Sequence, residues 1–353
     1  MRHVVRVAAY LPAAAAGGAP VAALDEDEFT LAATAVERAW SGRREEPGSV
    51  VLHLLGDYPP VADWGFAAVL GRETEVVRHP GDAGELAATL RALEESEGGA
   101  TFLVASELRG RTAGRSTRSS GRGAGAVAFL LEPAEEPAPF PLPKSAPSRS
   151  ALASTLKVGD LAKDLPRFVT LVGDWDRPSS EGPPPDREAA RKGFDGNLAS
   201  VSEGAYVPRP RYLENLPSRW RFMAELCSAC RGTTFPARGV CRRCGRRDTL
   251  VPHALPTDGG RVVAVTTVGK GGQPTEFDAQ VAAQGPYDVA LVELSRRMRV
   301  TLQVTDAPPG TLQVGDRVNT LLRRLYPMEG EWRYGRKAVP VTAPPTQPTA
   351  GET

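Results

Sequence analysis

Residues 227–245 read CSACRGTTFPARGVCRRCG. Two Cys-x-x-Cys pairs, Cys227/Cys230 and Cys241/Cys244, stand ten residues apart. Each pair can turn back on one metal ion as a tight knuckle, and two knuckles supply the tetrahedral thiolate set that zinc prefers. Gly245 directly follows the second pair, where a knuckle often takes a left-handed residue; Arg231-Gly232 follows the first. Free buried thiols, a redox pair and an iron–sulfur cluster also use cysteine. The doubled motif in one compact segment favours a single structural zinc ion in a closed, four-ligand ribbon. These are the only cysteines in the chain, a pattern of metal binding rather than of a secreted disulfide framework.

Arginines crowd the same segment. Arg219, Arg221, Arg231, Arg238, Arg242, Arg243, Arg246 and Arg247 face only Glu225 and Asp248. Part of this charge offsets the negative tetrathiolate site. The remainder is free to stay solvated or to meet a phosphate, a nucleic acid or an acidic partner surface.

Downstream, GGRVVAVTTVGKG, PYDVALVELSRRMRVTLQVTD and VGDRVNTLLRRLY read as strands, with turns at Gly259-Gly260, Pro308-Pro309-Gly310 and Gly330. Short alternating strands with this punctuation fit a small barrel, and residues 253–345 have the size of an OB-fold. The aromatics of this region are sparse: Phe277 and Tyr287 fall in a loop between the first two strands, and Tyr326, Trp332 and Tyr334 lie near its end. Upstream, YLENLPSRWRFMAE reads as a helix running into the first knuckle, so 205–252 form a helix plus ribbon.

Residues 1–135 alternate strand and helix. VVRVAAYL, SVVLHLLGD, TEVVRH, TFLVASEL and GAVAFLLE read as strands; FTLAATAVERAW, WGFAAVLG and GELAATLRALEES read as helices. The acidic run Asp25–Glu28 opens the first helix and suits the positive end of its dipole, and Gly71 and Gly98-Gly99 close the other two. This order implies a mixed sheet with helices on its faces. RGRTAGRSTRSSGRGAG, residues 109–125, reads as a surface loop, because its glycines do not pass from a strand into a helix as a phosphate loop requires. Residues 136–204 read as a Pro/Gly-rich linker, in which ALASTLKVGDLAKDLPRFVTLVGDWD carries some secondary structure; 346–353 read as a disordered tail.

Composition bounds the function classes. With 353 residues, 41% apolar and 24% charged, the chain has the makeup of a globular protein of two or three domains. A net charge of +1 provides no global field toward nucleic acid or an anionic membrane, so any basic feature is local. The apolar stretch near the N-terminus alternates like a strand and stops at Pro12, and no run reaches the roughly 18–20 apolar residues of a membrane span. A cytoplasmic protein is expected.

RYLENLPSRWRFMAELCSACRGTTFPARGVCRRCG, followed by GPYDVALVEL and LQVGDRVNTLLRR, resembles the acyl-CoA-associated family of zinc-ribbon plus OB-fold proteins. The resemblance rests on the segment entering the first knuckle, on Phe235-Pro236-x-Arg238 and on the Gly315-Asp316-Arg317-Val318 turn, and covers about 205–345. It implies a rubredoxin-like zinc ribbon, a β-barrel OB-fold and an accessory role beside a thiolase-fold enzyme: a thiolase, a hydroxymethylglutaryl-CoA synthase or a thiolase-like aldolase. Residues 1–135 resemble the N-terminal half of a thiolase or ketoacyl-synthase-III fold. DEDEFTLAATAVERAW matches its early helix, TFLVASEL its strand ending in glutamate, and GRGAGAVAFLLE its glycine-rich strand, with Arg122 where aspartate is usual.

One departure decides the functional expectation. The family's nucleophile is a cysteine at the start of the central helix, where the dipole lowers its pKa. The corresponding segment, RHPGDAGELAATLRAL, holds none, and no counterpart is read for the second half-fold that supplies the family's catalytic His and Asn. His79 lies near that position with no nucleophile to activate. The resemblance therefore implies a degenerate thiolase-like domain without catalytic residues, in a hetero-oligomeric subunit that helps bind or channel CoA thioesters. Lys270, Arg296, Arg297, Arg323 and Arg324 are the candidates to meet CoA phosphates. Two alternatives stay open. One is a divergent acyl-CoA condensing enzyme, a hydroxymethylglutaryl-CoA-synthase-like acyltransferase, with Ser106, Ser119 or Ser120 as nucleophile. The other is a ribbon–OB nucleic-acid-binding protein, against which the near-neutral charge argues.

Overall fold

A computed structural model describes residues 2–10, 14–16, 19–20, 22–23, 25–41, 48–79, 86–107, 125–133, 180–181, 207–269, 271–295, 298–328 and 330–341. The linker (apart from 180–181), the basic loop (apart from Gly125), the C-terminal tail, Ser119, Ser120, Lys270, Arg296 and Arg297 lie outside the described residues.

In chain order the elements are β1 (Arg2–Tyr10), β2 (Ala14–Ala16), β3 (Ala19–Pro20), α1 (Glu28–Trp40), β4 (Val50–Leu55), α2 (Ala62–Leu70), β5 (Thr74–His79), α3 (Leu86–Glu95), β6 (Thr101–Glu107), β7 (Gly125–Pro133) and β8 (Ser180–Glu181). There follow α4 (Arg209–Glu214), α5 (Leu216–Trp220), β9 (Met223–Cys227), β10 (Thr233–Thr234), β11 (Leu250–Ala254), β12 (Gly260–Val268), α6 (Asp278–Gln284), β13 (Tyr287–Ser295), β14 (Met298–Gln303), β15 (Arg317–Met328) and β16 (Glu331–Pro340). The chain divides into two compact units: Met1–Arg221 with Thr275–Ala283 and Leu322–Gly335, and Phe222–Pro274 with Gln284–Leu321 and Arg336–Thr353.

The first unit is built on a mixed sheet of order β1-β7-β6-β4-β5. β4 runs parallel to β5 and β6, whereas β7 is antiparallel to both β6 and β1. This is the mixed α/β sheet that the resemblance to a thiolase-like half-domain implies. Its strands form because their apolar residues find cover: Leu52, Leu54, Phe102, Val104, Phe129 and Leu131 are all buried. α1 packs on β1, β6 and β7.

Why α1 starts where it does follows from a capping box. Asp27 Oδ1 accepts from Thr30 N at 2.9 Å, and Thr30 Oγ1 accepts from Asp27 N at 2.9 Å, which satisfies two donors that a helix start leaves orphaned. α2 ends at Gly71 in the left-handed conformation, φ 69°, as expected from the sequence. A Cβ there would collide with the Arg221 guanidinium.

Residues 322–335 bring an aromatic and ionic strap to this unit. Phe29 lies at the centre of an aromatic cluster, 5.1 Å from Phe66, 5.9 Å from Trp220 and 5.3 Å from Tyr334. The Tyr334 hydroxyl donates to Asp27 Oδ2 at 2.8 Å. Arg323 meets Glu26 Oε1 at 2.9 Å, both fully buried, and Tyr10 donates to the same oxygen at 2.6 Å. The acidic run that opens α1 is thus a set of buried partners, not a solvated face.

The second unit carries the ribbon and most of a barrel. The expected helix through YLENLPSRWRFMAE is corrected by the structure: it breaks into α4 and α5 around Asn215, with Pro217 in the first turn of α5, and Phe222 at φ 49° turns the chain into strand β9. PYDVALVELSRRMRVTLQVTD is likewise two antiparallel strands, β13 and β14. Tyr287 starts β13 and is buried rather than lying in a loop. The barrel order is β14-β13-β12-β15-β16, with a parallel bridge from Val304 to Ala338 joining the end of β14 to β16. A five-stranded sheet returning on itself in this way is the OB-fold barrel. Its core gathers Phe222, Val262, Ala290, Val292, Leu302 and Val318. The buried Asp288 carboxylate accepts from Thr267 Oγ1 at 2.6 Å and from Gly310 N at 2.8 Å, tying the 308–310 turn to the strands.

Candidate metal centre

β9 delivers Cys227 at its last residue, and β11 pairs beside it with Leu250 opposite Cys227. The backbone then forms two turns of the same design. Cys227 N donates to Gly232 O at 2.9 Å, and Cys241 N donates to Arg246 O at 2.8 Å. Arg231 N donates to Cys227 O, and Gly245 N donates to Cys241 O, each at 2.9 Å. Each turn folds its two sulfurs to one side.

The four Sγ atoms of Cys227, Cys230, Cys241 and Cys244 lie within 4.8 Å of one another. Across the two knuckles, Cys227 and Cys244 approach to 3.7 Å, and Cys230 and Cys241 to 3.5 Å. A metal–thiolate bond of about 2.3 Å in tetrahedral geometry requires sulfur–sulfur edges of about 3.8 Å, so the set fits one ion. Cys227 and Cys241 are buried and Cys244 is exposed.

The surroundings favour thiolate at particular positions. The Thr249 hydroxyl, 3.1 Å from Cys227 Sγ, and the Cys230 N–H hold the Cys227 thiol down to about 6. N–H groups of Cys244 and Arg243 lower Cys241 in the same way. At Cys230 the Gly232 N–H also favours the thiolate, but burial and the neighbouring thiols outweigh it and push the thiol up to about 12. Four bare thiolates repel one another at this spacing; a divalent cation removes the repulsion.

The remaining sequence candidates lie elsewhere. Arg323 is fully buried against Glu26 and Tyr10, so a phosphate would have to displace Glu26 to reach it. Arg324 lies over the Trp332 ring at 4.5 Å, its Nε 3.9 Å from Asp27 Oδ2. Ser106 is buried near the end of β6 beside Tyr58 and Gly56, and neither His53 nor His79 pairs with it. Those two, His53 and His79, bond each other instead: Nδ1 to Nε2 is 2.8 Å, with stacked rings. Nothing in the sequence around His79 points to His53 as its partner; the parallel register that sets Leu55 beside His79 is what brings His53 to it. Among the described residues, no helix is long and apolar enough to cross a membrane.

A relative from Methanothermobacter thermautotrophicus, described as a DUF35 domain-containing scaffold protein, is 31% identical over 135 residues, which span 37% of this chain and 96% of the relative. The chain belongs to the DUF35 scaffold protein family. A second DUF35 scaffold protein, from Methanocaldococcus jannaschii, is 28% identical over 133 residues, 37% of this chain and 89% of its own length. Among solved structures, the Ltp2-ChsH2(DUF35) aldolase aligns with a TM-score of 0.27 at 22% identity, over 34% of this chain and 84% of that one. No family model matches the chain. The DUF35 relatives account for little more than a third of this chain's residues.

Proposed function

We propose that this DUF35 protein is a non-catalytic subunit of an acyl-CoA assembly, docking on a thiolase-fold enzyme and sharing CoA thioesters with it. The observation that carries the reading is the cysteine cluster: it gathers every cysteine of the chain into one site and leaves none as the nucleophile of a thiolase-like domain. Membership of a family of scaffold proteins supports the same role, and the aldolase whose name includes DUF35 fits the partner class. The ion is zinc, held by Cys227, Cys230, Cys241 and Cys244 in a closed site that stabilises the ribbon and leaves no position for substrate. Lys270, Arg296, Arg297 and Arg324 remain the candidates for CoA phosphates; Arg323, spent on Glu26, is not among them.

The test is co-expression of the full chain with a thiolase-fold enzyme, followed by size-exclusion chromatography and assays of thiolysis and condensation. A stable hetero-complex, with no activity from the chain alone, is expected. Turnover by the isolated chain, or an acyl adduct on Ser106, would overturn the reading.

A further inference from the structure

The structure assigns a docking surface for an acidic protein segment to the arginine collar around the cysteine cluster. This rests on the scaffold reading above and names the chemistry by which the ribbon recognises a partner. Residues 227–247 hold six arginines (Arg231, Arg238, Arg242, Arg243, Arg246 and Arg247) and no acidic residue. All six are exposed. Among the described residues none of them makes an ion pair, and only Arg243 places its guanidinium on another group, the Cys230 carbonyl at 3.1 Å. The nearby Glu225 carboxylate is already engaged by the backbone N–H groups of Arg238 and Gly239.

The knuckles bring these charges together. Arg231 follows Cys230, Arg242 and Arg243 lie between Cys241 and Cys244, and Arg246 closes the second turn through its carbonyl. Since the four sulfurs lie within 4.8 Å, the knuckle residues beside them, Arg231, Arg242, Arg243 and Arg246, project from one small patch of backbone. The side chain of Arg243 reaches the first knuckle, 3.1 Å from where a Cβ on Gly232 would stand. A doubly negative tetrathiolate offsets only part of six positive charges. The excess is carried on a backbone fixed by the knuckles, and guanidinium forks match carboxylates in pairs.

Nucleic acid fits this surface less well. Single strands are held by a basic groove together with aromatic platforms for the bases. Phe235 is the one aromatic residue of 227–247, and it packs edge-on against Phe222 at 6.0 Å. The collar offers charge without stacking, which suits carboxylates on a protein surface.

The experiment measures binding of a fluorescein-labelled polyglutamate peptide, and separately of labelled oligothymidine, to the full metal-loaded chain by fluorescence anisotropy. The variant Arg242→Glu/Arg246→Glu/Arg247→Glu is compared with the wild type and with the control Arg211→Glu/Arg299→Glu, at exposed arginines outside residues 227–247. The expected result is salt-sensitive polyglutamate binding that weakens at least tenfold in the triple variant and holds in the control. Equal affinity in the triple variant, or tighter binding of oligothymidine than of polyglutamate, would overturn the proposal, the latter in favour of nucleic acid. Metal content checks that the ribbon is intact; if the triple variant loses metal, Arg→Gln at the same three positions decides. A collar that binds polyglutamate in a chain that forms no complex with a thiolase-fold enzyme would remove the partner class and leave the docking surface standing.

Discussion

Arg231 and Gly245 occupy equivalent positions in the two cysteine knuckles. Each is left-handed, at φ 58° and 74°, and each donates its N–H to the carbonyl of the first cysteine of its own pair at 2.9 Å. Glycine takes this conformation freely, whereas a residue with a Cβ is strained there by about 1 kcal/mol. Nothing lies within 4 Å of a Cβ placed on Gly245, so only backbone strain separates the two sites. Gly245→Ala is therefore expected to destabilise the metal-loaded chain by about 1 kcal/mol, and Arg231→Gly to be neutral or stabilising by up to that amount. Urea unfolding measures both. A comparable loss at both positions would show that the knuckles do not share one design.

Removal of a buried sulfur tests the metal centre. Cys227→Ser or Cys241→Ser is expected to abolish stoichiometric zinc, because each takes a ligand from the enclosed side of the cluster. Structural zinc in ribbons contributes on the order of 10 kcal/mol of binding energy that is also folding energy, so chelation of the wild type should release the hydrogen-exchange protection of β9 and β10. Cobalt(II) in place of zinc provides a spectroscopic check. The intense bands of a tetrahedral thiolate site are expected, and weak octahedral bands would reject the assignment.

The ribbon was legible in the sequence because its chemistry is local: two spacings and one glycine define it. The strands of the first sheet were legible for a similar reason, since β4 and β6 are built on short apolar runs bounded by turn residues. What the sequence hid depends on long-range pairing. Nothing local tells Asp25, Glu26 and Asp27 apart from a solvated acidic run; their burial comes from Tyr10, from Arg323 against Glu26, and from Tyr334, which lies 307 residues from Asp27. The helix expected before Cys227 failed on a physical detail present in the sequence, Pro217 beside Asn215, which the apolar spacing of the neighbouring residues masked. His53 and His79 are joined only by the register of two parallel strands.

The Arg323–Glu26 pair makes a second stability prediction. Both groups are fully buried, so removing one leaves the other charged and unsolvated. Arg323→Met is expected to cost about 3–5 kcal/mol in urea unfolding. Glu26→Gln in that background should recover part of the loss, because the amide carries no buried charge, its oxygen can still accept from Ala23 N, and the Tyr10 hydroxyl can turn to accept from its NH2 group. A double-mutant cycle in which the two losses simply add would show that the pair is not coupled.

The His53–His79 contact yields a pH dependence. Burial first, then the charges of His79 and Arg2, push the His53 pKa from 6.5 down to about 4. The folded state thus favours the neutral ring, which can share one proton with His79 across 2.8 Å. In the unfolded chain the same ring takes up a proton already near 6.5, so between about 6.5 and 4 the unfolded state binds more protons and stability falls as pH falls. The contribution is fully present above 6.5 and is lost toward 4. For a half-buried ring screened by solvent it amounts to about 1–2 kcal/mol. Urea midpoints at both ends of this window, for the wild type and for His53→Gln, measure it. The variant is expected to lose less stability on acidification than the wild type; parallel losses would show that His53 stays solvated and titrates alike in both states.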